Sequence, residues 1–192
     1  MSTTSSAPIV RVQQGELRGT TDRGALAFLG VPFAAAPFGA DRMRPPRPAA
    51  SRDGLRDATT YGPTSPKAPY PPPFRPLFPE VDIPGEECLN LNVWTPGTAG
   101  ALPVLVWIHG GSFTNGSGSV AEYNGAAFAR DGVVCVTVNY RLGAEGFLHT
   151  GDEVANPGLL DQVAALTWVR DNITAFGGDP GRSRSQASRP GR

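Results

Sequence analysis

The sequence of 192 residues predicts an α/β fold with a mostly parallel central sheet, flanking helices and an N-terminal β-hairpin. Two apolar runs, 103–109 (PVLVWIH) and 133–139 (VVCVTVN), lack polar alternation, which is typical of strands buried on both faces of a sheet. Helical patterns lie between the two runs, at 120–130, and after them, at 157–176. Strands that alternate with helices indicate a layered α/β domain.

The N-terminal elements follow from β-rich segments and turn residues. Residues 9–19 and 25–34 are β-rich and are separated by the turn-forming residues 21–24, so we expect them to pair as a hairpin. A third short strand is expected at 91–95. Proline occupies nine of the 22 residues from 63 to 84, and because it fixes φ and removes a donor, this segment is expected to be a long surface loop.

The helix expected at 157–176 has recognisable ends. Asn156 suits the N-cap, Pro157 suits the first helical position, and Gly177 with Gly178 ends the helix. Apolar residues recur at spacings of three and four, and this stripe is expected to pack on the sheet: Leu159, Val163, Leu166, Val169, Ile173 and Phe176.

Composition excludes several classes of partner. Lys+Arg and Asp+Glu both number 17, so no net charge attracts nucleic acid or an anionic membrane. No apolar run reaches the ~18 residues of a membrane span and no signal peptide is visible, so we expect a cytoplasmic protein. Cys88 and Cys135 could form one disulfide, but reduced buried thiols are the expectation in such a chain.

The segment with the clearest chemical meaning runs from His109 to Phe113 (HGGSF), directly after a predicted buried strand. Glycines let a loop turn sharply and point consecutive backbone N–H groups at an oxyanion, as acyl-transfer enzymes require. The alternative is a glycine-rich turn without chemistry. These five residues alone leave both interpretations open.

Further motifs show that the chain from 9 to 181 resembles the type-B carboxylesterase and cholinesterase family. They occur in this order: 28–34 (FLGVPFA), 87–94 (ECLNLNVW), 139–143 (NYRLG), 146–148 (GFL), 158–162 (GLLDQ), 168–173 (WVRDNI) and 176–180 (FGGDP). The resemblance implies the N-terminal portion of an α/β-hydrolase fold that acts on a small-molecule carboxylic ester, with no metal or organic cofactor.

The resemblance also assigns the oxyanion hole to the backbone N–H groups of Gly111 and Ser112, with Gly110 allowing the bend. Family members often have a third glycine where this chain has Ser112, whose Cβ is expected to face the acyl site. Neither His109 nor His149 matches the catalytic base of the family. His109 belongs to the oxyanion loop, and His149 is expected to be a solvated loop residue.

Other features implied by the resemblance are structural. The family pairs Cys88 with a cysteine that would fall at about Ser65, so that disulfide is missing here. Two ion pairs are implied: Arg42 with Glu86, and Arg141 with Asp161. The alternative is that these charges are simply solvated.

The last residues depart from the family pattern. Residues 1–182 read as the N-terminal part of a single carboxylesterase type-B domain, whereas no strand is expected in 183–192, which read as a disordered basic tail. One permitted choice of codons, read one base early from Arg182, translates as VTVAGESAG, a strand and a nucleophile elbow of the family type. A frameshift would therefore explain the tail.

Nucleophile, acid and base are expected to be absent from these 192 residues, so the chain alone is expected to be inactive. The alternatives to a serine esterase are a non-catalytic cholinesterase-like binding module and a non-functional truncated product.

Overall fold

A computed structural model of the chain describes residues 7–73, 75–78, 80–149, 151 and 155–187, and its centre is a six-stranded sheet. The order of the strands across this sheet is β3 (Thr20–Asp22), β4 (Ala25–Pro32), β6 (Asn90–Thr95), β8 (Val134–Val138), β7 (Leu102–Ile108) and β9 (Gly178–Ala187). A second sheet contains β1 (Ile9–Val12), β2 (Gly15–Arg18) and β5 (Leu55–Asp57). The α/β class and the three strands predicted at 91–95, 103–109 and 133–139 are confirmed. Burial on both faces is confirmed for β8 but not for β7, in which Leu105 and Trp107 are only partly buried.

The central sheet is mixed, which corrects the expectation of a mostly parallel one. Strands β3, β4, β6 and β8 pair antiparallel, whereas β7 pairs parallel with both β8 and β9. The parallel strands are those joined by helical crossovers: α1 (Ala126–Arg130) lies between β7 and β8 in sequence, and α3 (Pro157–Asn172) lies between β8 and β9.

The N-terminal region contains two hairpins rather than one. Residues 9–19 fold back on themselves as β1 and β2, and β3 and β4 form the second hairpin. Arg23 and Gly24 join β3 to β4 with φ of 48° and 84°, and positive φ at both positions is the requirement of a type I′ turn. The β-rich pattern of 9–19 predicted a single strand because it gave no indication of the two-residue turn at positions 13 and 14.

The helices are shorter than the patterns predicted. Only α1 and a 3-10 turn at Ala121–Tyr123 occupy the segment predicted at 120–130. A short helix, α2 (Gly143–Phe147), precedes α3, which continues into a 3-10 turn at Ile173–Phe176. Asn156 stands at the N-cap of α3 but is left-handed, and its side chain makes no capping hydrogen bond.

The predicted packing face of α3 is wrong over its first half. Leu159, Val163 and Leu166 are exposed, Val163 by 59%. The residues that α3 buries are Pro157, Gly158, Asp161, Ala165, Trp168, Val169 and Asn172. Small residues bring the helix close to its neighbour, since a Cβ on Gly158 would lie 2.7 Å from the carbonyl oxygen of Arg141. A buried ion pair of Asp161 then fixes the inward face.

Strand β9 contradicts the expectation that no strand passes through residues 183–187. Val104 to Ile108 of β7 pair in parallel with Ser183 to Ala187, although these β9 side chains are exposed. Pairing uses backbone groups, so the open edge of β7 accepts a polar strand as readily as an apolar one. Residues 188–192 of the predicted tail lie outside the described residues.

A continuous core joins the sheet to α3 and includes Phe28, Leu91, Val106, Val136 and Phe176. Cys88 and Cys135 are both buried and free, which confirms that they are not bonded to each other. Among the described residues, no helix is both long and apolar enough to cross a bilayer.

Candidate active site

The three parallel strands end at one edge of the sheet, and the HGGSF segment leaves β7 at that edge. In the register of the sheet, Ile108 at the end of β7 lies beside Val138 of β8 and Ala187 of β9. Ligands of open α/β sheets bind outside the carboxyl ends of the strands. The segment from His109 to Gly118, called the glycine loop below, therefore occupies the expected place for a site.

Two glycines are required by the close packing of the glycine loop. Gly111 has φ of 125°, and a Cβ at this position would lie 2.1 Å from the carbonyl oxygen of Asn115. Gly116 has φ of 99°, and its Cβ would lie 2.4 Å from the carbonyl oxygen of Gly110. Any other residue at either position would force the loop to open.

The first turn of the loop leaves its backbone donors without a partner. The carbonyl oxygen of Gly111 accepts the amides of Thr114 and Asn115, each at 3.0 Å. Among the residues that the structure describes, the amide N–H groups of Gly110, Gly111, Ser112 and Phe113 donate to no acceptor. Ser112 and Phe113 are both left-handed, with φ of 55° and 64°. Successive N–H groups of a turn can form a concave nest that suits an anion.

His109 holds the start of the glycine loop. Its Nδ1 lies 2.9 Å from the carbonyl oxygen of Gly110, and its ring stacks on Tyr140 at 4.5 Å between centroids. The hydroxyl of Tyr140 donates to the carbonyl oxygen of His109 at 2.9 Å. Burial lowers the pKa of His109 to about 4, so its ring is neutral at pH 7. His109 is therefore a structural residue of the loop rather than its base.

Buried asparagines on neighbouring strands hold the other end of the glycine loop. The Asn139 side-chain oxygen accepts the amide of Gly118 at 2.8 Å, and its Nδ2 donates to Asn90 at 3.0 Å. Asn92 donates to the carbonyl oxygen of Gly118 at 3.3 Å. The sequence motifs assigned no role to these three asparagines. The sequence could have indicated them, because asparagine is disfavoured in buried strands, and two asparagines in β6 with a third directly after β8 indicate a hydrogen-bond network.

An aromatic pair lies next to the free amides. The carbonyl oxygen of Phe113 accepts the amide of Gly143 at 2.7 Å, and its ring lies 4.7 Å from that of Phe147. Phe113 is half exposed. The loop thus presents an apolar surface directly after its two donors.

The two ion pairs implied by the resemblance differ in outcome. Arg141 pairs with Asp161 through Nε and Nη2, at 2.8 and 2.6 Å, with both side chains almost completely buried, and this prediction is confirmed. The pair of Arg42 with Glu86 is wrong, because Arg42 pairs with Glu145 of α2. Sequence separation carries no information on such partners.

Ser65 stands beside Cys88, where the family would place its disulfide. The Ser65 hydroxyl donates to the carbonyl oxygen of Tyr140 at 2.7 Å. Burial raises the pKa of the Cys88 thiol to about 11, although the hydrogen bond with Ser65 opposes the increase. Cys88 is therefore an inert thiol at neutral pH.

Several cavities in the described part of the chain lie apart from the glycine loop. One of about 470 Å³ is lined by residues that include Asp22, Tyr61, Ser119 and Asn124. A cavity of about 310 Å³ lies against Val12, Leu17 and Val31, but its lining contains no residue of the loop. Within the described ranges, no three His, Cys, Asp or Glu side chains come together to hold a metal ion.

Comparisons with known proteins agree on one family. The model of the carboxylesterase family matches residues 6–183. The chain is 48% identical to phenmedipham hydrolase of Pseudarthrobacter oxydans over 91% of its length, and 45% identical to para-nitrobenzyl esterase of Bacillus subtilis over 90%. A carboxylesterase structure from Geobacillus stearothermophilus superposes with a TM-score of 0.83 at 44% identity, covering 93% of this chain and 38% of that one. The chain spans 36% of the length of each of the two relatives.

Proposed function

Because this chain belongs to the carboxylesterase family, we propose that it supplies the oxyanion-binding part of a serine carboxylesterase, with the amides of Gly111 and Ser112 as donors. The observation that carries the proposal is a run of four amides, at 110–113, that lies at the carboxyl edge of the parallel strands without a partner among the described residues. The family resemblance selects the two donors from this run. Gly110 provides the bend before them. Their substrate is a small-molecule carboxylic ester.

In this mechanism the serine oxygen attacks the ester carbonyl while a histidine accepts the serine proton. The negative charge that develops on the carbonyl oxygen is stabilised by hydrogen bonds from Gly111 and Ser112. Collapse of the tetrahedral intermediate expels the alcohol, which takes the proton from histidine, and leaves an acyl-enzyme. Water then attacks the acyl-enzyme by the same steps, which releases the acid and restores the serine.

We place the serine after β9. This placement is supported by the register of the sheet, because Ala187 at the end of β9 lies beside Ile108, the residue that precedes the glycine loop. In the peptide VTVAGESAG the serine would stand two residues beyond the end of β9, which supports the shifted reading frame as its source. The 192 residues themselves contain no G-x-S-x-G, so we propose that they are inactive alone.

The absence of a G-x-S-x-G motif from these 192 residues also favours a second candidate, a binding module without catalysis. Two free buried cysteines support a reducing, cytoplasmic location for either candidate.

Hydrolysis of p-nitrophenyl butyrate distinguishes the candidates. We expect the 192-residue chain to hydrolyse it no faster than background, because loss of the triad costs ~10⁶ in turnover. A chain read in the shifted frame after codon 182, and continued through the following coding sequence, is expected to be active and to lose activity when the serine of GESAG becomes alanine. Stop codons throughout that frame would contradict the esterase proposal.

A further inference from the structure

The only lysine of the chain is buried beside the glycine loop. Lys67 is the single lysine among 17 basic residues, and its side chain is 3% exposed. It lies in the proline-rich segment from 64 to 83. The two ends of this segment are joined, because the amide of Thr64 donates to Ile83 at 2.9 Å and the amide of Ile83 donates to the Thr64 hydroxyl at 3.1 Å.

Lys67, Glu80 and Asn115 form a polar cluster between this segment and the glycine loop. The Lys67 ammonium lies 3.7 Å from Glu80 Oε1 and donates to the carbonyl oxygen of Val81 at 2.7 Å. Asn115 Nδ2 donates to Glu80 Oε2 at 3.2 Å and to the carbonyl oxygen of Ala68 at 2.7 Å. The proline-rich segment therefore holds the Asn115 side chain from two sides.

Asn115 also contacts the turn that contains the candidate donors. Its amide donates to the carbonyl oxygen of Gly111, which closes the turn that contains Ser112 and Phe113. Both residues have positive φ, a conformation that non-glycine residues keep only where the surroundings impose it. Backbone hydrogen bonds hold this turn, because the amides of Thr114 and Asn115 donate to the carbonyl oxygen of Gly111 and the amide of Gly143 donates to that of Phe113. The side-chain hydrogen bonds of Asn115 join the turn to the proline-rich segment.

The charges of Lys67 and Glu80 favour one arrangement of the side chains in this cluster. A buried ammonium is tolerated only beside a compensating charge, so Lys67 cannot leave Glu80 without a large penalty. Burial lowers the pKa of Lys67, and the charges of Glu80 and Asp82 oppose this change. Burial is also the main cause that lowers the pKa of His109, and the nearby charge of Lys67 acts in the same direction.

We propose that Lys67 and Asn115, joined through Glu80, are positioning residues that hold the amides of Gly111 and Ser112 in the conformation that receives the substrate oxygen. The proposal rests on the proposed function only for the identity of the bound oxygen. The cluster holds the loop whether or not an ester is bound.

Amide hydrogen exchange, followed by NMR on the 192-residue chain, tests this without any ester. Lys67→Met removes the charge at similar length, and Asn115→Asp removes both donors and places a carboxylate beside Glu80. We expect exchange at the backbone amides of positions 114 and 115 to rise at least about tenfold in both variants, and exchange in β6 and β8 to change less than about twofold. Arg170→Met, on the exposed face of α3, is the matched control and should change neither.

An equal rise in β6 and β8 would overturn the proposal, because the cluster would then support the whole fold rather than the loop. No rise in the loop, or no protection of these two amides in the unsubstituted chain, would also overturn it. Selective ¹⁵N labelling of lysine gives one ammonium signal, and we expect Asn115→Asp to shift it while Arg170→Met does not. Failure of the esterase assay with localised exchange would reject the proposed function and leave this inference intact.

Discussion

His109 shows how burial makes one residue structural in a place where histidine usually suggests catalysis. Its ring is stacked on Tyr140 and its Nδ1 is engaged with Gly110, so protonation would put a charge in a dry site. The pKa of His109 falls to about 4 for that reason. The second histidine, His149, is exposed, as expected from the sequence.

The pKa of His109 predicts a loss of stability in acid. Between pH 6.5 and about 4 the unfolded chain binds a proton at this residue and the folded chain does not. The free energy of unfolding should therefore fall by roughly 3 kcal/mol as pH decreases through this window. Denaturant titrations at several pH values should show that His109→Gln removes this contribution and that His149→Gln retains it. The same pH dependence in both variants would contradict the assignment.

At the residue scale, the sequence predicted the glycine loop because its constraint is local. Gly110 and Gly111 stand next to each other after a strand, and backbone geometry alone makes them informative. The partners of the loop could not be predicted in this way. Asn139 contacts the loop directly, and Lys67 is joined to it through Glu80 and Asn115. These contacts join distant segments, so the spacing of the residues in the sequence carries no signal.

Helix α3 is oriented by a charge rather than by its apolar stripe. Asp161 accepts the amide of Arg141 at 3.0 Å in addition to two hydrogen bonds from its guanidinium. The orientation of α3 could not be predicted from the sequence. The periodicity of apolar residues shows that a helix is amphipathic, but it does not show which other elements pack against the apolar face. The three strands β6, β7 and β8 were predicted to within about a residue, since short runs rich in β-branched and aromatic residues and bounded by turn residues favour strands.

Asp161→Asn should be strongly destabilising. The change leaves the buried guanidinium of Arg141 without a counter-charge, and breaking such a pair costs about 3–5 kcal/mol. Asp171→Asn, on the same helix, removes an exposed partner of Arg170 and should cost far less, because solvent screens this pair. Urea unfolding of both variants measures the difference. Equal costs would show that the Arg141 pair does not orient α3.

The whole molecule gathers its functional groups at one edge of a mixed sheet. Strands β7, β8 and β9 end together there, and the proline-rich segment, Asn139 and Tyr140 all contact the glycine loop at this edge. The strand order and the polar strand β9 could not be predicted, because pairing depends on which backbone edges remain open. The family resemblance assigned the candidate site to the loop that follows β7, and the topology places the start of this loop at the carboxyl ends of parallel strands, where ligands of such sheets bind.

The central claim is that the glycine loop binds the oxyanion of an ester, and a chimera tests it most directly. Residues 7–180 of this chain would replace the matching part of para-nitrobenzyl esterase of Bacillus subtilis, which is 45% identical. We expect the chimera to hydrolyse p-nitrophenyl butyrate. Gly111→Ala should lower kcat about 10²–10³-fold, because its Cβ would displace the loop, whereas Gly97→Ala, with open space around it, should not. Unchanged kcat in a folded Gly111→Ala chimera would contradict the claim.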